Sequence, residues 1–241
     1  MLHAEMGVGL SVNKGKKKRV LWGSECYLCF AIQTKVVSAD DRLDDIVKTY
    51  AEPHLEEGDI LFISEKMVAC AQGRAIPLFA VRPRFYARFL SRFVTKSRAG
   101  IGLSMPETMQ CALDECGTLR ITLAAAAGMV GKLLGKRGWF YRIAGHRAAC
   151  IDGPCDYTIP PYNQYVVLAP LEADQTAMAL SRQLGGNVVL VVDANDIGVA
   201  ILGSSHAVDV EKVCALLKQN PLGQSCESTP MGILRLVDVS L

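Results

Sequence analysis

Acidic residues in this sequence stand where apolar segments end, which is where α/β proteins commonly place their ligands. Asp193 follows the apolar run 188–192, and Asp152 closes another apolar segment just before a Gly-Pro pair. Glu227 lies in a loop, with Gln224 three residues earlier. Oxygen donors of this kind suit Mg²⁺ or Mn²⁺, ions that often bridge to nucleotide phosphates. The pattern alone nevertheless favours ordinary turns at these positions, since Asp, Asn, Gly and Pro supply turn geometry.

The polar insert 193–196, Asp-Ala-Asn-Asp, separates two apolar runs. One interpretation is a metal-binding corner at the end of a strand, and the other is a hairpin turn. Three roles remain open for Asp196: a further metal ligand, a residue that hydrogen-bonds to a metal ligand, or a turn residue.

A second candidate is a phosphate contact in the stretch 124–138, AAAAGMVGKLLGKRG. It is not a P-loop, because only two residues separate Gly128 from Gly131-Lys132, where the motif requires four. In addition, Leu133 occupies the position at which the motif requires Ser or Thr. Lys132, Lys136 and Arg137 could still approach a phosphate there.

Composition restricts the class of protein. Half of the 241 residues are hydrophobic and the net charge is +2, which indicates a globular chain with no general reason to bind nucleic acid. Nine cysteines in apolar contexts indicate a reducing compartment, and the pair Cys26 and Cys29 is predicted to be buried on a strand rather than to bind zinc. No membrane-spanning segment or signal peptide is recognisable, so a cytoplasmic location without a membrane partner is expected.

Strands and helices alternate along the chain without an internal repeat, which predicts a mixed α/β fold. Residues 1–19 form a Gly- and Lys-rich segment predicted to be partly mobile, and residues 20–241 form the folded domain. A strand is predicted over 119–123. A helix over 84–96 is predicted to face the core with Phe85, Phe89 and Phe93, and its alternative role is an RNA- or acidic-partner surface.

Two motifs give the chain a family resemblance. Residues 58–74, GDILFISEKMVACAQGR, resemble the strand and helix near the start of the γ-glutamyl ligases that add glutamate to the deazaflavin coenzyme F-420. Residues 223–230, GQSCESTP, are similar to the Gly-Gln-x-x-Glu-x-x-Pro pattern of the same family. Asp152 and Asp193 fall where that family has metal-binding aspartates, and the resemblance extends over roughly residues 27–236.

The resemblance implies a two-lobed α/β fold of mixed sheets and flanking helices, assembled as a homodimer. It implies a ligase that uses GTP, or alternatively ATP, with Mg²⁺ or Mn²⁺ to convert a substrate carboxylate into an acyl phosphate, which an amine then attacks. Lys66 would help to neutralise phosphate and Asp193 would be catalytic. The residues expected around the metal ions are Asp152, Asp193, Gln224 and Glu227.

The sequence also departs from the family pattern. After Asp193 it has Ala-Asn-Asp-Ile-Gly in place of a Thr-Phe-Gly-Arg-Pro-like run, and after Asp152 it has Gly-Pro-Cys in place of x-Ser-Asn. The expected substrate is therefore an acid other than the family's own. The alternative is a non-catalytic relative that binds nucleotide or metal as a sensor module.

Overall fold

The computed structural model of the protein describes residues 10–94, 101–136, 138–195 and 198–237. The strands are β1 (Leu10–Ser11), β2 (Arg19–Trp22), β3 (Glu25–Ile32), β4 (Ile60–Ser64), β5 (Ala75–Pro77), β6 (Tyr165–Val167), β7 (Val188–Ala194), β8 (Val199–Ser204) and β9 (Met231–Val237). The α-helices are α1 (Leu43–Tyr50), α2 (Glu65–Ala71), α3 (Phe85–Ser91), α4 (Pro106–Cys116), α5 (Thr118–Leu133), α6 (Trp139–Ala144), α7 (His146–Ala149), α8 (Ala173–Gln183) and α9 (Val210–Leu217).

The chain forms two compact units, and the first comprises Met1–Gln72 and Pro170–Leu241. Its described residues form a seven-stranded mixed sheet in the order β1-β3-β9-β4-β7-β8, with β2 paired to β3. Strands β4 and β7 run parallel at its centre, and both are continuous apolar runs because both of their faces are buried. Apolar clusters lie on the two faces of the sheet, one under α1 and α8 and one under α9.

One glycine is required for the close packing of these central strands. Gly232 of β9 pairs with Phe62 of β4 and with Ala31 of β3. A Cβ atom at this position would lie 2.3 Å from the Phe62 ring and 2.4 Å from the carbonyl oxygen of Phe30, so no larger residue fits.

The second unit comprises Gly73–Ala169 and is mainly helical. Strands β5 and β6 pair antiparallel, and α3 to α7 surround a core that includes the fully buried side chains of Leu103, Met109 and Ile121. The predicted mixed α/β class is confirmed by this combination of a mixed sheet, a small second sheet and flanking helices.

Two local predictions are wrong. Residues 119–123 belong to helix α5, because the alanine run that follows them is a strong helix former and extends the helix through this segment. The phenylalanines of α3 do not face the core: Phe85 is 84 % exposed, while Ala87 and Leu90 are buried instead. Helix α3 is shorter than the predicted helix 84–96: it covers Phe85–Ser91, and the described residues 92–94 are not helical. Residues 95 and 96 lie outside the described ranges.

One further local prediction is confirmed, and the predicted partial mobility of residues 1–19 stays a prediction. Cys26 and Cys29 are both buried on β3, as expected for a structural pair. Within the predicted N-terminal segment, Leu10–Ser11 forms a strand paired with β3, and Lys16 donates a hydrogen bond to the carbonyl oxygen of Gln219. None of the helices described is both long enough and apolar enough to cross a bilayer.

Candidate functional site

Two carboxylates lie side by side at the end of the central parallel strand pair. In the register of β4 and β7, Ser64 is opposite Val192, so the next residues, Glu65 and Asp193, project from equivalent positions. A carboxylate oxygen of Glu65 and one of Asp193 lie within 4.8 Å of each other. The carboxyl ends of parallel strands are the usual place for a ligand in such sheets, and here each of the two strands brings one acid to that edge.

Glu65 is held by the start of helix α2. The Oγ atom of Ser64 accepts a hydrogen bond from the backbone N–H of Lys66 at 3.3 Å, which caps the helix and fixes Glu65 as its first residue. The Glu65 residue is only 3 % exposed, and a buried carboxylate is costly unless cations or hydrogen bonds compensate its charge. Glu65 is a candidate site residue that was not predicted from the sequence, although it directly follows the buried strand β4.

Asp193 lies within β7 and not in the turn that follows it. It pairs with Ala200 of β8, and its Oδ1 atom accepts a hydrogen bond from Nδ2 of Asn195 at 3.2 Å. Asn195 and Gly198 close the hairpin through reciprocal backbone bonds of 2.9 and 3.2 Å. Asn195 therefore closes the hairpin, whereas Asp193 belongs to the strand and to the carboxylate pair, and metal binding by Asp193 stays a prediction. Asp196 lies outside the described residues.

The residues predicted to contact phosphate do not all belong to the same unit. Lys66 is exposed next to Glu65 in the first unit. Lys132 is exposed in the last turn of α5, in the second unit. Arg137 lies outside the described residues. Lys66 is thus the candidate phosphate contact that belongs to the same unit as the carboxylate pair.

The loop before β9 contains Gln224 and Glu227. Gln224 is exposed, and Glu227 is half-buried with Oε2 accepting a hydrogen bond from the backbone N–H of Ser225 at 2.7 Å. Gly223 has a φ of 78°, and a Cβ atom there would lie 2.7 Å from the carboxylate carbon of Glu227. The Gly-Gln-x-x-Glu motif therefore has a local physical basis, because the glycine makes room for the glutamate to fold back onto its own loop.

Asp152 belongs to the second unit. Its backbone forms an isolated antiparallel bridge with Val167, with both hydrogen bonds at 2.9 Å, so its position is fixed by the end of β6. Burial raises the pKa of the Tyr141 hydroxyl above its usual value, and the negative charge of Asp152 adds to this effect.

The carboxylate pair fits the chemistry of a hard divalent cation. Mg²⁺ binds oxygen ligands at about 2.1 Å, so two oxygens on one ion are separated by at most about 4.2 Å. The oxygens of Glu65 and Asp193 lie at most 4.8 Å apart, which is close to that value. Small side-chain rotations would therefore bring both oxygens onto one ion. Both donors are carboxylate oxygens, which Mg²⁺ and Mn²⁺ prefer over nitrogen or sulfur.

The family model for F420-0:gamma-glutamyl ligase matches residues 31–208, about three quarters of the chain. That range includes β4, α2 and β7, and hence both members of the carboxylate pair, but not the loop with Gln224 and Glu227. A search of curated proteins found no match.

Proposed function

Because the chain belongs to the F420-0:gamma-glutamyl ligase family, we propose that it is a nucleotide- and metal-dependent ligase of the γ-glutamyl ligase type. In this proposal the γ-phosphoryl group of GTP or ATP is transferred to a substrate carboxylate, giving an acyl phosphate and a nucleoside diphosphate. An amine then attacks the acyl carbon, an amide bond forms, and inorganic phosphate leaves. The acceptor is an acid of unidentified structure.

The observation that supports the proposal best is the pairing of Glu65 and Asp193 at the carboxyl ends of β4 and β7. Placing two acids together lowers the stability of a fold unless a positive charge compensates them. Mg²⁺ or Mn²⁺, when bound, would neutralise the charge of the phosphates and of the developing leaving group. Glu65 and Asp193 would hold the ion, together with Asp152, Gln224 and Glu227 as the further ligands implied by the family.

Lys66 has a separate role in the proposal. Its side chain is exposed at the start of α2, immediately beside the buried Glu65, so its ammonium group can reach a phosphate outside the carboxylate pair. Phosphoryl transfer requires positioning and charge neutralisation more than covalent help from the protein, and a lysine supplies a mobile positive charge of this kind. Lys132 and Arg137 are the further cationic residues that we propose for nucleotide binding. The family resemblance also implies a homodimer.

The experiment is a thermal-unfolding screen of GTP and ATP with and without Mn²⁺, followed by assays of nucleotide hydrolysis with a panel of carboxylic acids and amines. We expect stabilisation by a nucleotide only in the presence of the ion, because a ligand that binds the folded state alone raises its stability. Lys66→Ala should weaken this response, whereas Lys48→Ala, which removes an exposed lysine of α1, should leave it unchanged.

The assay separates the alternatives. Metal-dependent turnover that is lost in Asp193→Asn supports the ligase. Metal-dependent nucleotide binding without turnover on any acid or amine identifies a non-catalytic binding module instead. No response to nucleotide or ion contradicts both.

A further inference from the structure

A basic and apolar surface on the second unit has no role in the proposed reaction. We define this basic apolar surface by the exposed phenylalanines of the segment around α3, the arginines between them, and the exposed aliphatic residues of α5. Its members are Phe79, Phe85, Phe89, Phe93, Arg82, Arg84, Arg88, Arg92, Leu119, Leu123, Val130, Leu133 and Leu134.

Helix α3 exposes the face that its sequence would be expected to bury. Phe79 and Phe85 are 89 % and 84 % exposed, and the rings of Phe89 and Phe93 contact each other edge to face with centroids 5.0 Å apart. The opposite side of the helix, with Ala87 and Leu90, packs into the core of the unit. Large aromatic side chains left in water at this density are typical of a binding surface.

Helix α5 continues the exposed apolar area. Leu119, Leu123, Val130 and Leu133 follow one another at intervals of three, four or seven residues and so share one face of the helix. The fraction exposed reaches 87 % at Leu133. The two helices are adjacent, because the hydroxyl groups of Tyr86 on α3 and Thr122 on α5 are hydrogen-bonded at 2.7 Å.

The net charge of the second unit is strongly positive. Gly73–Ala169 contains thirteen basic and five acidic residues, a net charge of +8, whereas the rest of the chain contains thirteen and nineteen, a net charge of −6. Six of those basic residues and no acidic residue lie between 78 and 106. The ion pair of Arg84 with Asp114, at 3.1 Å, involves one of them. Such a charge asymmetry attracts an anionic partner.

The exposed aliphatic side chains of α5 indicate which kind of anionic partner fits the basic apolar surface. Nucleic acids are bound through phosphate contacts, base edges and stacking on aromatic rings, which leaves the leucines of α5 without a function. A dimer formed through this surface on both copies would bring together two units that each have a net charge of +8, and their repulsion disfavours it. The first unit offers no matching apolar face among its described residues: its exposed large hydrophobics come from separate segments, namely Leu21, Val36, Leu171, Met178, Val210 and Leu236.

We propose that the basic apolar surface binds peripherally to a membrane containing anionic lipid. The phenylalanine and leucine side chains enter the boundary between headgroups and acyl chains, and the arginines of the α3 segment contact the lipid phosphates. This mode of binding requires no membrane-spanning helix. Membrane binding is independent of the ligase chemistry, since no residue of the basic apolar surface belongs to the carboxylate pair or to the loop with Gln224 and Glu227.

The test is co-sedimentation of the full chain with vesicles of phosphatidylcholine alone or mixed with phosphatidylglycerol. We expect at least about tenfold tighter binding to the anionic vesicles, weakened by salt. Arg88→Glu with Arg92→Glu should reduce binding to anionic vesicles by about tenfold or more, because each basic residue near the surface contributes about fivefold. Phe85→Ser with Phe89→Ser should reduce binding by a similar factor.

Matched controls are Leu21→Ser and Arg19→Glu, which change an exposed leucine and an exposed arginine of the first unit. They should bind vesicles like the wild type, and all variants should keep the wild-type unfolding temperature and its nucleotide response. Equal binding to neutral vesicles, or unchanged binding by both double variants, would overturn the proposal. Tight binding of single-stranded RNA without vesicle binding would also overturn the proposal. The same holds if the protein is a dimer and the double variant Leu123→Ser with Leu133→Ser is a monomer.

Discussion

Replacing Asp193 with asparagine should stabilise the protein in the absence of metal and abolish its response to a divalent cation. The reason is the carboxylate of Glu65, which has an oxygen within 4.8 Å of an Asp193 oxygen. Two like charges at this separation repel by about 3 kcal/mol at an effective dielectric constant of about 20. Neighbouring groups screen part of that repulsion, so we expect the nearly isosteric asparagine to raise the free energy of unfolding by about 1–2 kcal/mol.

The measurement is thermal unfolding by circular dichroism, first with a chelator and then with Mn²⁺ in excess. For a chain of this length, 1–2 kcal/mol corresponds to an increase of about 2–8 °C in Tm. The wild type should gain about 2.7 kcal/mol from the ion when its concentration is a hundredfold above Kd. In chelator, Asp193→Asn should have a higher Tm than the wild type, and added Mn²⁺ should not raise it further. Glu65→Gln should behave in the same way.

The control is Glu57→Gln, which removes one exposed negative charge from the first unit. It should change the free energy of unfolding by no more than about 0.5 kcal/mol and keep the full response to Mn²⁺. A loss of stability in chelated Asp193→Asn would show that the carboxylate has a structural role in the hairpin. A normal Mn²⁺ response in that variant would show that the pair does not bind the ion.

Three further predictions concern single positions. Gly223→Ala should lower the free energy of unfolding by at least about 1 kcal/mol, measured in urea, since it combines a φ of 78° with a collision against Glu227; an unchanged midpoint would contradict the glycine argument. Asp59→Ala should cost about 3 kcal/mol in the same assay, because it leaves Arg235 without the buried carboxylate to which it donates at 2.7 and 2.9 Å; a cost below about 1 kcal/mol would refute this. Burial raises the pKa of the Cys29 thiol to about 12, so its contribution to stability is complete below its ordinary pKa of 9.0 and is lost as the pH rises from there towards 12. Cys29 should therefore resist alkylation at pH 9 until the protein unfolds, and rapid labelling of the native protein, detected by peptide mass spectrometry, would contradict this prediction.

The sequence by itself determined the α/β class, most of the strands and helices, the burial of Cys26 and Cys29, and the family. These features follow from local periodicity, turn chemistry and short motifs, which act over a few residues. The Ser64 cap and the hairpin closed by Asn195 and Gly198 are of the same kind, because each is stabilised by hydrogen bonds between close neighbours in the chain.

Only the tertiary structure determined which acid accompanies Asp193 and which face of α3 is exposed. Glu65 becomes its neighbour through the parallel register of β4 with β7, and strand order is a property of the whole sheet that no local pattern encodes. Phe85 is exposed because the packed side of α3 is the one with Ala87 and Leu90. A short helix with apolar residues on both sides satisfies either orientation locally, and the packing against neighbouring helices decides which side is buried.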